Sequence, residues 1–173
     1  MAAVEIGKAF GARVIAAAST EEKLAIAREH GADETINYAK ESLKDRVKEL
    51  TGGKGADVIY DPVGGELFDQ ATRSINWKGR LLVVGFASGS IPKYPVNLAL
   101  LKGCSLVGVF WGDFQRREPE VSQQNTRELF ELFGAGKLKP VVSQVFPIEE
   151  YAAALNTFIN RQAIGKVVLR VRG

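Results

Sequence analysis

The hydrophobic and polar positions of this chain alternate between helical spacing and short unbroken apolar runs. Over residues 2–10 the apolar side chains share one helical face, which predicts an opening helix with no strand before it. An apolar run at 13–18 then predicts a buried strand. The two patterns recur, and they predict strands at 34–38, 56–61, 80–86 and 105–111 and helices over 19–30, 41–50, 66–75 and 120–133, with a brief helical turn at 98–101.

The last part of the chain changes in character. Residues 141–146 are predicted to be extended, residues 148–160 to form a helix, and residues 165–171, where charged and aliphatic side chains alternate, to form a strand. This pattern separates the C-terminal residues from the regular alternation of strands and helices that precedes them.

Strands separated by helices of about ten residues predict an α/β fold, a doubly wound parallel sheet of the Rossmann-like kind with helices on both faces. In the strand order 3-2-1-4-5-6, the strands at 13–18 and 34–38 would be the second and third, so the first strand is missing. Strands 13–18 and 56–61 would then face a gap. We expect these two strands to close on each other, or another chain to fill the gap between them.

The composition is that of a soluble globular protein, with 173 residues, 46% of them hydrophobic and 25% charged. No apolar run approaches the roughly 20 residues of a membrane helix, and the N-terminus does not resemble a secretory signal, so we expect a cytoplasmic protein. A single cysteine, Cys104, and a single histidine, His30, exclude a disulfide framework and a Cys/His zinc cluster made by this chain alone.

The net charge of +3 is concentrated at the C-terminal end of the chain. Residues 137–173 hold six basic and two acidic residues, a net of +4, which leaves −1 for residues 1–136. A protein that binds the nucleic-acid backbone more often has a dense basic face with aromatic residues interleaved. The distribution therefore argues against a nucleic-acid partner.

Several segments, in chain order, resemble one known family. They are 2–8, 19–23, 31–38, 52–65 (GGKGADVIYDPVGG), 79–86 and 165–169. The sequence is similar along its whole length to the C-terminal, nucleotide-binding half of zinc-independent medium-chain dehydrogenases/reductases of the NADPH:quinone oxidoreductase (zeta-crystallin-like) type.

The resemblance implies two regions and a reaction. Residues 1–136 would be a dinucleotide-binding domain without its first strand and glycine-rich loop, and residues 137–173 would rejoin a catalytic barrel domain. The family reaction is hydride transfer from NADPH to a quinone or an α,β-unsaturated carbonyl compound, and we expect no turnover by this chain alone. Two alternatives stay open: a non-catalytic module that binds NADP(H) or dimerises, and part of an enoyl reductase.

The end of the second strand favours NADPH over NADH. No acid occurs at 16–19 to accept a bond from the ribose 2′-hydroxyl, whereas Ser19 and Lys23 offer a hydroxyl and a cation to a 2′-phosphate. The resemblance implies that Lys23 and Tyr38 flank this phosphate and that Arg161 approaches it. In the alternative interpretation, Ser19, which has capping-box spacing with Glu22, only caps the helix, and Lys23 is a solvated surface residue.

The ends of the later strands supply the other candidate contacts. In Asp61-Pro62-Val63-Gly64-Gly65 we expect the aspartate to order the loop and the glycines to give backbone freedom. The resemblance places Pro62 and Val63 near the adenine and ribose, and it brings six residues near the nicotinamide: Gly85, Phe86, Ala87, Val109, Phe110 and Trp111. The Phe110-Trp111 pair could equally be core, or part of a homodimer interface along the edge strand at 105–110.

Neither remaining reactive side chain suggests catalysis. His30 is expected to be a surface residue at a helix C-terminus, and Cys104 to be buried and inert. Since one histidine cannot complete a set of nucleophile, base and orienting group, no catalytic residue is nominated. The cofactor would supply the hydride, and the protein would position it.

Overall fold

The computed structural model describes residues 1–160 and 162–172, and the elements alternate much as the hydrophobic pattern predicts. In chain order they are α1 (Ala2–Ala9), β1 (Ile15–Ala18), α2 (Glu21–Glu29), β2 (Glu34–Asn37), α3 (Leu43–Leu50), β3 (Ala56–Asp61), α4 (Gly65–Ser74), β4 (Ile75–Val83), α5 (Asn97–Lys102), β5 (Ser105–Gly108), α6 (Trp111–Arg117), α7 (Pro119–Gly134), β6 (Val142–Pro147), a 3₁₀ turn (Ile148–Glu150), α8 (Tyr151–Ile159) and β7 (Lys166–Arg170).

All strand pairings in the described residues are parallel, which confirms the predicted α/β, Rossmann-like class. The strands form a two-stranded sheet of β1 and β2, a three-stranded sheet in the order β3-β4-β5, and a two-stranded sheet of β6 and β7. Strands β1 and β3 are not hydrogen-bonded to each other. The first of the two alternatives, that they close on each other, is therefore wrong, and each keeps one edge without a strand partner among the described residues. The second alternative, that another chain fills the gap, stays a prediction.

The main apolar core lies between α4 and its neighbouring strands. Phe68 and Ala71 of α4 and Ile75 and Leu81 of β4 are buried together, with Ile59 of β3 packed against them. Around the two-stranded sheet of β1 and β2, five more apolar side chains are buried: Leu24, Ala27, Ala32, Ile36 and Val47. The packing of α3 against α4 joins the part of the chain around β2 to the three-stranded sheet.

Helix α2 is capped by a different residue from the one predicted. The hydroxyl of Thr20 accepts a bond from the backbone N–H of Lys23 at 3.4 Å, so Thr20 and not Ser19 is the N-cap. The error arises because both residues carry a hydroxyl and the helix begins one residue later, at Glu21. The alternative interpretation, in which Ser19 only caps the helix, is therefore wrong.

The boundaries of the apolar run at 105–111 also differ from the prediction. Strand β5 ends at Gly108, and Trp111 begins helix α6, which the sequence pattern did not reveal. This helix is short and mostly polar. It is held by a contact between the rings of Trp111 and Phe114, whose centroids are 5.6 Å apart, and by ion pairs from Asp113 to Arg116 and Arg117.

His30 is not the surface residue that the sequence suggested. Its Nδ1 lies 2.7 Å from Oε1 of Glu5, and the two side chains are only 16% and 7% exposed. The same oxygen of Glu5 accepts a bond from the backbone N–H of Lys139 at 2.9 Å. Glu5 thus ties together α1, the end of α2 and the segment before β6, a role that requires this helix acid to face inward.

Cys104 is half-buried, less enclosed than predicted. Its Sγ lies 3.5 Å from the Tyr94 hydroxyl and 3.8 Å from the carbonyl oxygen of Leu98. These contacts anchor the loop before α5 to the start of β5. In the described ranges, no helix is both long enough and apolar enough to cross a membrane.

Candidate functional site

A cleft of about 770 Å³ opens along the carboxyl-end edge of the strands. Five of the residues singled out from the sequence line it, namely Ser19, Lys23, Tyr38, Val63 and Ala87. They come from the ends of β1, β2 and β3, from α2, and from the loop after β4. The rule that ligands bind outside the carboxyl ends of parallel strands thus locates this cleft.

Three polar residues line the cleft beside β1 and β2, which are parallel neighbours. Ser19 directly follows β1, Tyr38 directly follows β2, and the backbone N–H of Tyr38 donates to the carbonyl of Ala18 at 3.1 Å. Lys23 lies in the first turn of α2, which starts two residues after Ser19. The fold therefore brings two hydroxyls and an ammonium group to this end of the cleft.

The charge balance of the cleft suits an anion at that end. Among the described lining residues Lys23 is the one cation and Glu66, in the first turn of α4, the one acid. Neither of the two acids in the first turn of α2, Glu21 and Glu22, lines the cleft, and Glu21 is bonded to Asn37 and Lys40 instead. The ammonium and the two hydroxyls are donors of the kind that a phosphate group requires.

The loop after β3 is ordered by Asp61, as the sequence predicted. This side chain is buried, and its Oδ1 accepts bonds from the backbone N–H groups of Val63 at 2.8 Å and Gly64 at 3.0 Å. Gly64 and Gly65 have φ values of 68° and 61°, which residues with a Cβ rarely adopt. The loop needs its glycines to turn into α4.

Pro62 shapes the cleft without lining it. Its carbonyl oxygen accepts a bond from the N–H of Ala87 at 3.1 Å, and the carbonyl of Val63 accepts one from Ser88 at 2.9 Å. These bonds join the loop after β3 to the loop after β4, so the two loops form one wall of the cleft. Gly85 sits close to the same carbonyl, since a Cβ added there would lie 3.3 Å from it.

A smaller groove of about 230 Å³ joins the ends of β4 and β5. Four more of the residues singled out from the sequence line it: Gly85, Phe86, Val109 and Phe110. The N–H of Val109 donates to the carbonyl of Val83 at 2.9 Å, which extends the parallel pairing beyond β5. Phe110 is 76% exposed, so the interpretation of Phe110 as a core residue is wrong.

Two other candidates lie apart from both cavities or cannot be placed. Trp111 begins α6, is half exposed and packs against Phe114, so it too is not core. Arg161 lies outside the described residues. The sequence therefore located nine of the twelve candidates in the two cavities, with Pro62 contributing through its backbone.

Several lining residues were missed by the sequence analysis. Ser88 and Ser90 belong to the loop after β4, and Phe158, Ile159 and Ala163 come from α8 and the residues after it. The carbonyl of Ser90 accepts a bond from the N–H of Gly65 at 3.2 Å, which folds this loop over the start of α4. The strand-end rule could have indicated the two serines, whereas no local signal marks α8.

The arrangement can hold a long, partly anionic ligand across the strand ends. One end offers hydroxyl and ammonium donors, the middle offers loop backbone and small side chains, and the neighbouring groove is apolar. Within residues 1–160 and 162–172 no cluster of His, Cys, Asp or Glu side chains could hold a metal ion. A phosphorylated nucleotide with a planar ring at its far end has this combination of groups.

Comparison with known proteins agrees with this geometry. Residues 1–128 match the family model described as zinc-binding dehydrogenase. The chain is 44% identical over 164 residues to the quinone oxidoreductase-like protein 2 homolog of Nematostella vectensis, covering 94% of this chain and 45% of that protein. It is 36% identical over 169 residues to the quinone oxidoreductase of Pseudomonas aeruginosa, covering 96% of this chain and 51% of that protein.

Solved structures show the same similarity. The quinone oxidoreductase of Escherichia coli complexed with NADPH superimposes with a TM-score of 0.87 at 27% identity, over 98% of this chain and 52% of that one. The crystal structure of a 2-haloacrylate reductase gives a TM-score of 0.85 at 32% identity, over 98% and 53%. The chain spans about half the length of the curated relatives it matches.

Proposed function

Because the chain belongs to the zinc-binding dehydrogenase family, we propose that it is the nucleotide-binding half of an NADPH-dependent oxidoreductase of the quinone oxidoreductase type. Bound NADPH would supply a hydride to a quinone or an α,β-unsaturated carbonyl compound. The names of the similar proteins, quinone oxidoreductases and a 2-haloacrylate reductase, support this reaction class.

The observation that carries the proposal is that Ser19, Lys23 and Tyr38 line the same cleft beside β1 and β2. No acidic residue occurs at 16–19, where NAD-binding proteins commonly place one to bond the ribose hydroxyls. The donors present suit the doubly charged 2′-phosphate of NADPH, so the residues fit this cofactor. Ser19 is available for this role because Thr20, and not Ser19, caps the helix.

The remaining contacts follow from the order of the cavities along the strand ends. Val63, with the backbone of Pro62, would contact the adenine and ribose. Ala87, which the resemblance placed near the nicotinamide, lines the larger cleft and would lie on the adenine and ribose side instead. The groove of Gly85, Phe86, Val109 and Phe110 would receive the nicotinamide ring against apolar side chains. We also propose that Trp111 approaches the nicotinamide and that Arg161 approaches the 2′-phosphate.

We propose that two regions of the chain have different structural roles. Residues 1–136 would form the dinucleotide-binding domain, and residues 137–173 would join the barrel domain that full-length relatives carry. The groove proposed for the nicotinamide leaves Phe110 76% exposed, so this chain alone does little to exclude water or fix the ring. We therefore propose that the chain binds NADPH but does not turn it over alone.

A charge reversal at Lys23 tests the cofactor assignment. Isothermal titration of Lys23→Glu should show NADPH affinity reduced by about 1–3 kcal/mol, the range for a hydrogen bond to a charged group, with NADH affinity nearly unchanged. The matched control is Lys54→Glu, the same charge change in the exposed turn before β3, at the opposite edge of the sheet. Equal losses for both cofactors would contradict the proposal.

A turnover assay separates an enzyme from a binding module. NADPH and a simple quinone are mixed with this chain, and the absorbance of NADPH is followed. We expect binding without oxidation. Oxidation at an enzyme's usual rate would show that the chain holds a complete active site, and rapid reduction of an enoyl thioester instead would favour the enoyl reductase alternative.

The edge strand β5 is the surface proposed for homodimer formation. It lies at the end of the three-stranded sheet, and all four of its residues are exposed, including Leu106 and Val107. An exposed apolar edge presents unpaired backbone groups to a second copy. Light scattering should give a dimer mass at micromolar concentration, and Leu106→Lys should shift it toward the monomer. A clean monomer for the unsubstituted chain would contradict this.

A further inference from the structure

Glu21 links the two polypeptide segments that carry the proposed phosphate contacts. It lies in the first turn of α2, between Ser19 and Lys23 in sequence. Its Oε1 accepts a bond from Nδ2 of Asn37 at 2.6 Å and another from Nζ of Lys40 at 3.0 Å. Tyr38 therefore lies between two residues whose side chains both bond to the same oxygen.

The bond from Asn37 is well placed to fix the backbone at Tyr38. Asn37 is the last residue of β2 and is 5% exposed. Its Oδ1 accepts a bond from the N–H of Ala39 at 3.1 Å, so its amide spans the turn that contains Tyr38 while its Nδ2 reaches across to α2. A buried amide that loses an acceptor costs more than an exposed one, because no water replaces the bond.

The negative charge of Glu21 is stabilised by its two bonding partners. The bonds from Asn37 and then Lys40 lower the pKa of this carboxyl group, so it is ionised at neutral pH. It lies outside the cleft lining, and its charge is paired with the Lys40 ammonium group in an exposed ion pair. An acid so close in sequence to the proposed phosphate contacts is thus directed toward β2 rather than toward the ligand.

We propose that Glu21 is a positioning residue for NADPH selectivity, holding Tyr38 beside Ser19 and Lys23 through its bond to Asn37. The inference rests on the proposed function, since it names the residue that assembles the 2′-phosphate contacts. Glu21 itself does not touch the cofactor. Its effect is transmitted through the turn at the end of β2.

Isothermal titration of two variants with NADPH and NADH tests the role. Glu21→Ala removes the acceptor and should lower NADPH affinity about 3- to 10-fold, the range of one net hydrogen bond, while NADH affinity stays within about 2-fold. Glu21→Gln keeps an oxygen for Asn37 and should retain NADPH affinity within about 2-fold. Glu22→Ala, the neighbouring exposed acid, is the matched control and should leave both affinities unchanged.

A double-mutant cycle with Tyr38→Phe shows whether the effect passes through Tyr38. If Glu21 acts by holding the tyrosine hydroxyl, Glu21→Ala combined with Tyr38→Phe should bind NADPH no more weakly than Tyr38→Phe alone, within about 2-fold. Fully multiplicative losses would overturn the inference. So would an unchanged NADPH affinity in Tyr38→Phe, or equal losses of NADPH and NADH in Glu21→Ala.

The same titrations separate this inference from the function on which it rests. If the unsubstituted chain binds NADPH no better than NADH, the proposed function fails and this inference fails with it. If the unsubstituted chain prefers NADPH and Glu21→Ala keeps that preference, only the role of Glu21 is overturned.

Discussion

Replacing Glu5 with alanine should strongly destabilise the fold, although this residue lines neither of the two cavities. Glu5 is 6% exposed, and a single oxygen of its carboxylate meets both Nδ1 of His30 and the backbone N–H of Lys139. Alanine would leave both of these groups without their partner at a site closed to water.

The expected magnitude follows from the two contacts. A buried donor left unsatisfied costs about 1–3 kcal/mol, so two partners together should reduce the free energy of unfolding by about 2–6 kcal/mol. Small domains have only about 5–15 kcal/mol of total stability, so this loss would be a large fraction of it. Glu5→Gln keeps an oxygen acceptor but loses the charge, and we expect about half the loss.

Urea unfolding followed by circular dichroism at pH 7 measures the effect. Glu29→Ala is the matched control, because Glu29 is an exposed acid at the end of α2 whose side chain makes no hydrogen bond or ion pair with the described part of the chain. It should change stability by no more than about 0.5 kcal/mol. A Glu5→Ala variant as stable as this control would refute the reasoning, since the contacts of Glu5 with His30 and Lys139 would then contribute nothing to the free energy of unfolding.

Three further predictions concern the three-stranded sheet and the loops that adjoin it. Gly55→Ala should lower the free energy of unfolding in urea by more than 2 kcal/mol, because φ is 93° and the added Cβ would lie 2.3 Å from a carbonyl oxygen of α4. The control is Gly53→Ala, where the added Cβ meets open space. It should lower the free energy of unfolding by only about 1 kcal/mol, the cost of the backbone conformation. Asp61→Ala should lower stability by about 1–3 kcal/mol and weaken NADPH binding measured by titration, since two loop N–H groups lose their acceptor; unchanged values would show that the loop orders itself. Burial, and secondarily the bond with Cys104, raises the pKa of Tyr94 to about 12, so the stability that its neutral form contributes is complete below pH 10 and is lost as pH rises from 10 to about 12. Tyr94→Phe should flatten that part of the stability profile, and an identical profile would contradict the assignment.

The sequence predicted the fold class from local pattern, and together with the family resemblance it named five of the residues that line the large cleft. Alternating helical and strand periods dictate parallel strands, and parallel strands bring their carboxyl ends to one edge. That rule identifies the edge of the sheet at which a ligand would bind, whereas the choice of Tyr38, Val63 and Ala87 as cofactor contacts came from the family resemblance. The prediction that Asp61 orders its loop also needed only the residues next to it.

The features that the sequence did not predict depend on contacts between distant residues. The inward orientation of Glu5 is set by His30 and by Lys139, which is 134 positions away along the chain. Helix α6 depends on ion pairs rather than on an apolar face, so hydrophobic periodicity could not detect it. Phe158 reaches the cleft from α8, whose packing no local signal encodes.

The parallel pairings have a consequence for how the chain acquires its structure. Ile15 pairs with Glu34, Tyr60 with Leu82, Arg80 with Ser105 and Val145 with Val168, separations of 19, 22, 25 and 23 positions. Pairings at these separations have a lower loop-closure cost than a contact between the two ends of the chain. During synthesis each strand-helix-strand unit can form soon after its second strand leaves the ribosome, from the N-terminus onward. The contact between Glu5 and Lys139 can form only later, so a nascent chain would carry several ordered units before its first helix is joined to its C-terminal segment.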